Sequence, residues 1–428
     1  MSLETRLPGA RRALALLLCI NLFNYIDRYI LAAVEPEIRK TFFAPNDPDA
    51  MAKTGMLATA FLVSYMVAAP LFGWLADRTS RWLLAGVGVA VWSLASGASG
   101  LAGSFAILLG TRILVGVGEA GYGPAAPALI ADYFAESVRG RVLSCFYLAI
   151  PVGGALGYVF GGMAGGHWGW RWPFYLVTFP GLVLAALCYF MPEPRKLLPS
   201  GRGAGREARA QRSADFWAGV RGLARNRSFV FNTAAMTAMT FAMGGMSFWM
   251  PGYIHEYRGQ PDLGRVTTLF GAITVVSGLL ATLAGGWLAD RVNRRNPGGY
   301  FLVSGVGMLL GFPLMVALLF TPFPWFWVVL FGVEFFLFFN TGPANAALVE
   351  VTRPGIRSTA FAVNIFMIHA LGDAISPPLI GKIAGWRGMN VGFLAVSALI
   401  AIAGLLWLWG ARYLESDTRA VADDSTGS

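Results

Sequence analysis

Gly73-Trp-Leu-Ala-Asp-Arg78 recurs letter for letter as Gly286-Trp-Leu-Ala-Asp-Arg291, 213 residues further along a chain of 428. Each copy closes an apolar stretch and is followed by basic residues, Arg81 after the first and Arg294 and Arg295 after the second. A six-residue identity at matching places in both halves indicates an internal duplication, and hence two structurally related bundles. The stretches around the copies show what kind of bundle this is. A helix crosses the hydrocarbon of a bilayer with about 20 apolar residues. By that ruler the first half holds spans near 13–34, 54–76, 83–103, 106–131, 141–163 and 170–191. The second holds spans near 228–254, 266–289, 299–320, 325–349, 359–383 and 389–412. The expected fold is an all-α membrane protein of twelve transmembrane helices. It has an N-terminal six-helix bundle over 1–191, a basic linker over 192–227, a C-terminal six-helix bundle over 228–413 and a disordered polar tail over 414–428.

Composition supports this reading. The chain is 56% hydrophobic and 13% charged, where a soluble domain carries about 25% charged residues. So few charges cannot clothe a soluble surface. The first span is longer than a signal-peptide core and lacks a cleavage site, so it is read as retained. The linker carries nine Lys/Arg against three acids. It serves either as a plain solvated loop that enforces topology or as a basic surface against anionic lipid. Twenty-three of the 33 Lys/Arg fall on the side that holds both termini and the linker, eight on the other, and Arg28 and Arg112 lie inside spans. The richer side is expected to be cytoplasmic. The net charge of +10 then follows from topology, and no nucleic-acid partner is called for. Compact loops and an Ala/Gly/Arg-rich composition point to a bacterial plasma membrane. Three histidines and three unpaired-looking cysteines give no metal site, no cofactor and no nucleophile–base set. An enzyme is therefore not expected.

The repeated loop, with its Gly-x-Leu-Ala-Asp-Arg-x-x-Arg pattern, resembles the signature loop of the major facilitator superfamily. That resemblance covers the whole chain. It implies the major facilitator fold, two six-helix bundles around a shared cavity, and alternating access. The loop residues then become gating candidates: Asp77, Arg78, Arg81, Asp290 and Arg291. Arg81 is placed to reach Asp132 at the end of the fourth span. Asp77 is placed to meet a helix N-terminus or Arg141. The alternative is an ordinary loop that only sets topology.

Charges inside spans carry the functional signal, because each costs at least about 2.5–3.5 kcal/mol at the bilayer centre and must pair or face water. They are Asp27 and Arg28 in the first span, Arg112 and Glu119 in the fourth, Glu334 in the tenth and Asp373 in the eleventh. Arg112 and Glu119 are seven apart, on one face and about 10 Å along the axis. Each must therefore find its partner on another helix; Arg28–Glu119 or Asp27–Arg112 would serve. A static buried pair that fixes helix packing is the competing reading. His369 and Asp373, four apart, share a face, and a proton relay and a structural pair are equally open. Met236, Met239, Met243 and Met246 in the seventh span, interleaved with Thr237 and Thr240, read as core packing or as a pliable wall for a greasy ligand.

Asn24-Tyr-Ile-Asp-Arg-Tyr29, Arg112-Ile-Leu-Val-Gly-Val-Gly-Glu-Ala120 and Phe146-Tyr-Leu-Ala-Ile-Pro-Val-Gly-Gly154 together resemble the Spinster family of lysophospholipid and sphingosine-phosphate transporters. The resemblance implies amphiphilic lipid substrates, with proton coupling in some members. By position, Asp27 and Glu119 become the proton-coupling acids. Arg28, Arg112, Tyr25, Glu334, Asn340, Thr237, Met243 and Phe335 become substrate-binding candidates. The implied partners are the bilayer, protons and an amphiphilic lipid or other small-molecule substrate, with the chain acting as a monomer. Rival readings within the superfamily are an organic-anion symporter and a multidrug exporter.

Overall fold

The computed structural model describes residues 7–76, 78–194, 219–353 and 356–426. Regular structure among them is helical, with no strand. Eleven helical segments are long and apolar enough to cross a membrane, from Ala10–Phe42 to Met389–Val421. The twelfth span is Arg227–Gly252, 26 residues long and without a charge between Arg227 and His255. Asparagine, threonine and three glycines dilute its apolar character. The twelve-helix reading therefore stands, and the spans are numbered 1–12 here in chain order.

Four spans are broken, and proline accounts for each break. A proline inside a helix lacks an N–H and its ring clashes with the carbonyl four residues earlier. Span 4 divides into Phe105–Tyr122 and Ala125–Tyr133 at Gly123-Pro124. Span 10 divides at Asn340, three residues before Pro343. Span 5 divides at Leu148, ahead of Pro151. Span 11 passes through a π-turn, His369–Asp373, before Pro377 and Pro378. Spans 4 and 10 occupy equivalent places in the repeat and break alike.

The chain forms two compact units, Met1–Gly201 with Ser247–Ala272, and Arg202–Met246 with Ile273–Ser428. In the first, span 1 packs on span 5, span 3 on spans 4 and 6, and span 2 on span 4. Glycine allows these approaches: a Cβ on Gly157 would sit 2.6 Å from the Ile26 carbonyl oxygen, and one on Gly118 2.5 Å from the Trp92 nitrogen. Buried polar links pin the helices further. Tyr122 donates to the Leu17 carbonyl at 2.8 Å and Asn21 to the Phe146 carbonyl at 2.9 Å. Apolar packing around them is built on Trp82, Trp92, Tyr133 and Phe134.

In the second unit, span 9 packs on spans 10 and 12, and span 11 on span 12. Asn232 of span 7 donates to the Ala344 carbonyl at 2.9 Å and accepts from Trp407 Nε1 at 2.8 Å, tying spans 7, 10 and 12. The expected disordered tail from 414 is instead helical: span 12 continues to Thr426. Asp417 accepts from the Ser228 backbone N–H at 2.8 Å, which anchors this extension to the start of span 7.

Candidate functional site

Span 1 delivers Asp27 and Arg28 as neighbours, about 100° apart around the helix, so they serve different partners. Arg28 reaches span 4 and bonds Glu119 through two nitrogens, Nη2 at 2.5 Å and Nε at 2.7 Å. Three aromatic rings surround its guanidinium, Tyr25 and Phe61 at 4.9 Å and Tyr65 at 5.6 Å from their centroids. Such rings stabilise the cation through their negative faces. Glu119 is buried at 1% exposure, whereas Arg28 keeps 23%.

Asp27, 2% exposed, accepts a hydrogen bond from the Ser96 hydroxyl of span 3. Arg112, equally buried, donates to Ser99 Oγ at 2.5 Å and lies over the Phe174 ring at 5.1 Å. Asp27 and Arg112 thus do not bond directly; two serines one helical turn apart on span 3 receive them, and their charges interact across that gap. The four groups sum to zero charge when all are ionised. The Asn24 side chain lies against the Glu119 carboxylate, while Asp27 Oδ2 and Arg112 Nε are buried without a hydrogen-bond partner. A buried polar atom left so is uncommon and calls for an explanation.

The loop candidates divide. Arg81 bonds Asp132 and also donates to the Ala128 carbonyl at 3.3 Å. Arg78 folds over the Trp74 ring at 4.0 Å. In the second copy Asp290 accepts from Tyr300 at 3.1 Å and Arg291 lies 5.9 Å from the Trp287 centroid. Arg141 takes part in an interaction of its own, and Asp77 lies outside the described residues.

Glu334, Asn340, Thr237, Met243 and Phe335 belong to the second unit. Glu334 is 4% exposed and shares a buried stripe of span 10 with Leu330, Val333 and Leu337. Phe335 packs against Phe339 and Phe336 at centroid distances of 5.6 and 5.5 Å. Asn340 donates to the Phe336 carbonyl at 3.2 Å and Thr237 to the Thr233 carbonyl at 2.7 Å. Met236, Met239 and Met246 are core, at 5%, 5% and 1% exposure. Met243 alone of the stripe is half-buried. His369 Nδ1 sits 3.0 Å from both Asp373 oxygens at the π-turn.

Two groups of residues escape a reading confined to charges within the spans. Ser96 and Ser99 belong to a run with period three, Ser93, Ser96 and Ser99, which marks one face of span 3. Glu35 and Arg39, four apart at the end of span 1, join Glu256 in an ionic cluster; the i, i+4 spacing was the available signal.

The Major Facilitator Superfamily profile matches residues 17–377. Protein spinster homolog 1 of Homo sapiens is 36% identical over 456 residues, covering 96% of this chain and 83% of that protein. Protein spinster homolog 3 of Danio rerio is 34% identical, covering 95% and 86%. The chain belongs to the Spinster family. It is accordingly a multi-pass membrane transporter and not an enzyme. Among solved structures, a bacterial homologue of the human lysosomal transporter Spinster, inward-facing and occupied, superposes with a TM-score of 0.80 at 20% identity, over 96% of this chain and 98% of that one. A D-xylose–proton symporter gives 0.73 at 16%, over 92% and 96%. At such identities these two speak to the fold alone. The Spinster assignment rests on the closer sequence relatives.

Proposed function

We propose that this Spinster-family protein is a proton-coupled secondary transporter of amphiphilic lipids, lysophospholipid-like or sphingosine-phosphate-like, working by alternating access as a monomer in a bacterial plasma membrane. Both termini are assigned to the cytoplasm by the distribution of Lys and Arg. The observation that carries the reading is the Arg28–Glu119 bond, made by an arginine in an aromatic enclosure to a carboxylate that is 1% exposed.

Asp27, Glu119, Arg28 and Arg112 balance when ionised. Adding one proton to Glu119, at the oxygen that Arg28 does not hold, gives the cluster a charge of +1. Arg28 then loses its counter-ion and is free to bind an anionic head group, which its planar fork suits. Asp27, with Oδ2 unpaired, is the second acid proposed to exchange protons. Tyr25 and Arg112 complete the head-group end. Glu334, Asn340, Thr237, Met243 and Phe335 are proposed as further substrate contacts, the aromatic and methionine side chains suiting an acyl chain. Arg81–Asp132 acts as a gate bond of the first signature loop, with Asp77, Arg78, Arg141, Asp290 and Arg291 as its proposed companions.

The test is uptake of labelled lysophospholipid into proteoliposomes with and without a proton gradient. The wild type responds to the gradient, and Glu119→Gln transports without regard to it or not at all. Gradient-dependent uptake by Glu119→Gln would remove that residue from coupling. Transport of sugar acids in preference to lysophospholipid would favour the organic-anion reading.

A further inference from the structure

Spans 7 and 8 are each divided between the two compact units. Residues 247–272, which comprise the end of span 7, the turn and the start of span 8, cluster with spans 1–6, while the remainders of both helices belong to the second unit. The attachment of this segment is close-packed. Tyr158 of span 5 donates to the Ser247 carbonyl at 2.6 Å and packs its ring 4.9 Å from Phe270. A Cβ on Gly162 would collide with Thr267 at 1.8 Å, and one on Gly252 would stand 3.2 Å from Pro36 Cγ.

Ionic contacts cross this attachment at Glu256. Arg39, near the end of span 1, bonds Glu256 on the π-turn that follows span 7. It also bonds Glu35 through Nε at 3.0 Å. Glu35 is 1% exposed and accepts from Thr54 of span 2 at 2.7 Å. Lys40 adds a second cation 3.4 Å from Glu256 and is itself paired with Glu37 at 2.9 Å. Tyr257 is the remaining titratable group near Arg39. Arg258 reaches Tyr253 on its own turn at 3.4 Å, and Lys53 is held by Asp47 at 2.7 Å.

We infer that Glu35, Arg39 and Glu256 form an ionic latch that holds the ends of spans 7 and 8 onto the first unit and must break before this face opens. The arrangement is asymmetric in a way that suits a latch. Glu35 anchors Arg39 within spans 1 and 2, so parting from Glu256 leaves Arg39 paired. Arg39 and Glu256 are each 18% exposed, open enough for water to take over when they separate. A structural bridge buried on both sides would instead strand two charges. The inference rests on alternating access and on no particular substrate.

The test uses spin labels at Asn46→Cys and Pro261→Cys, in a chain whose three native cysteines are replaced and which is held in lipid nanodiscs, with the distance distribution read by double electron–electron resonance. Glu256→Gln raises the ratio of long to short distances by roughly three- to tenfold, as expected for a partly exposed ion pair of about 1 kcal/mol. Glu256→Asp and Glu37→Gln leave it near the wild-type value. An unchanged ratio in Glu256→Gln, while Glu119→Gln alters it, overturns the latch and leaves alternation standing. If neither variant alters it, alternation on this face fails as well.

Discussion

The first half of the chain buries Asp27, Arg112 and Glu119 together with a partly exposed arginine, and receives two of them with serines of span 3. The second half buries Glu334 among Leu330, Val333 and Leu337 and surrounds its span with phenylalanine rings. Both halves share the broken fourth-position helix and the same six-letter loop. A duplicated scaffold has therefore kept its breaks and its loop while its interiors parted, one toward balanced charge and the other toward aromatic surface. The partner change proposed for Arg28 would need a preset polar surround, and the acyl chain proposed for the substrate only polarisable, adaptable contact.

The sharpest way to break this contrast is to remove one charge from each half. Arg28→Gln strands the Glu119 carboxylate and should cost about 3 kcal/mol of stability, along with nearly all transport, read by thermal melting in detergent and by proteoliposome uptake. Combining it with Glu119→Gln should recover about 1–3 kcal/mol as a coupling term. Glu334→Gln removes an acid that has no ion-pair partner among the described residues. It should leave the melting temperature level or higher, with a gain of up to about 1 kcal/mol from the eased burial of charge. A melting loss for Glu334→Gln as large as for Arg28→Gln would show that the two interiors are not different in kind.

The packing of span 1 on span 5 offers a second comparison. Gly157→Ala would force a methyl against the Ile26 carbonyl and should cost about 1–3 kcal/mol. Gly286→Ala in the second signature loop meets nothing within 4 Å and should fall within about 0.5 kcal/mol of the parent. The smallest contrast lies in the loops themselves. Arg81→Ala loses the bond to Asp132 and should cost about 1 kcal/mol, whereas Tyr300→Phe, which loses a neutral–charged bond to Asp290 at a more exposed place, should cost about half as much.

Much of this was legible in the sequence, and the reasons differ by residue. The repeat and the apolar lengths gave the spans, because a bilayer imposes one length on every crossing helix. The Arg28–Glu119 bond was one of two pairings that the buried charges allowed. The other, Asp27 with Arg112, is replaced by serine contacts that residue charge cannot foresee, since serine is also a common packing residue in membrane helices. The π-turn at His369–Asp373 follows from Pro377 and Pro378 acting on the preceding turn, but a proline pattern does not say whether a helix kinks, stops or widens. The tail beyond Tyr413 looked too polar to order. Helix-forming residues and the Glu415–Arg419 pair at i, i+4 carry the helix onward instead.

In the proposed cycle a proton taken up by Glu119 frees Arg28 for the anionic head of the substrate, so proton and lipid bind together. Calorimetry of lysophospholipid binding to the protein in nanodiscs, repeated in buffers of different ionisation enthalpy, counts the protons taken up with each lipid. The account predicts close to one proton per lipid for the wild type near neutral pH and close to none for Glu119→Gln; equal uptake by the two proteins would contradict it.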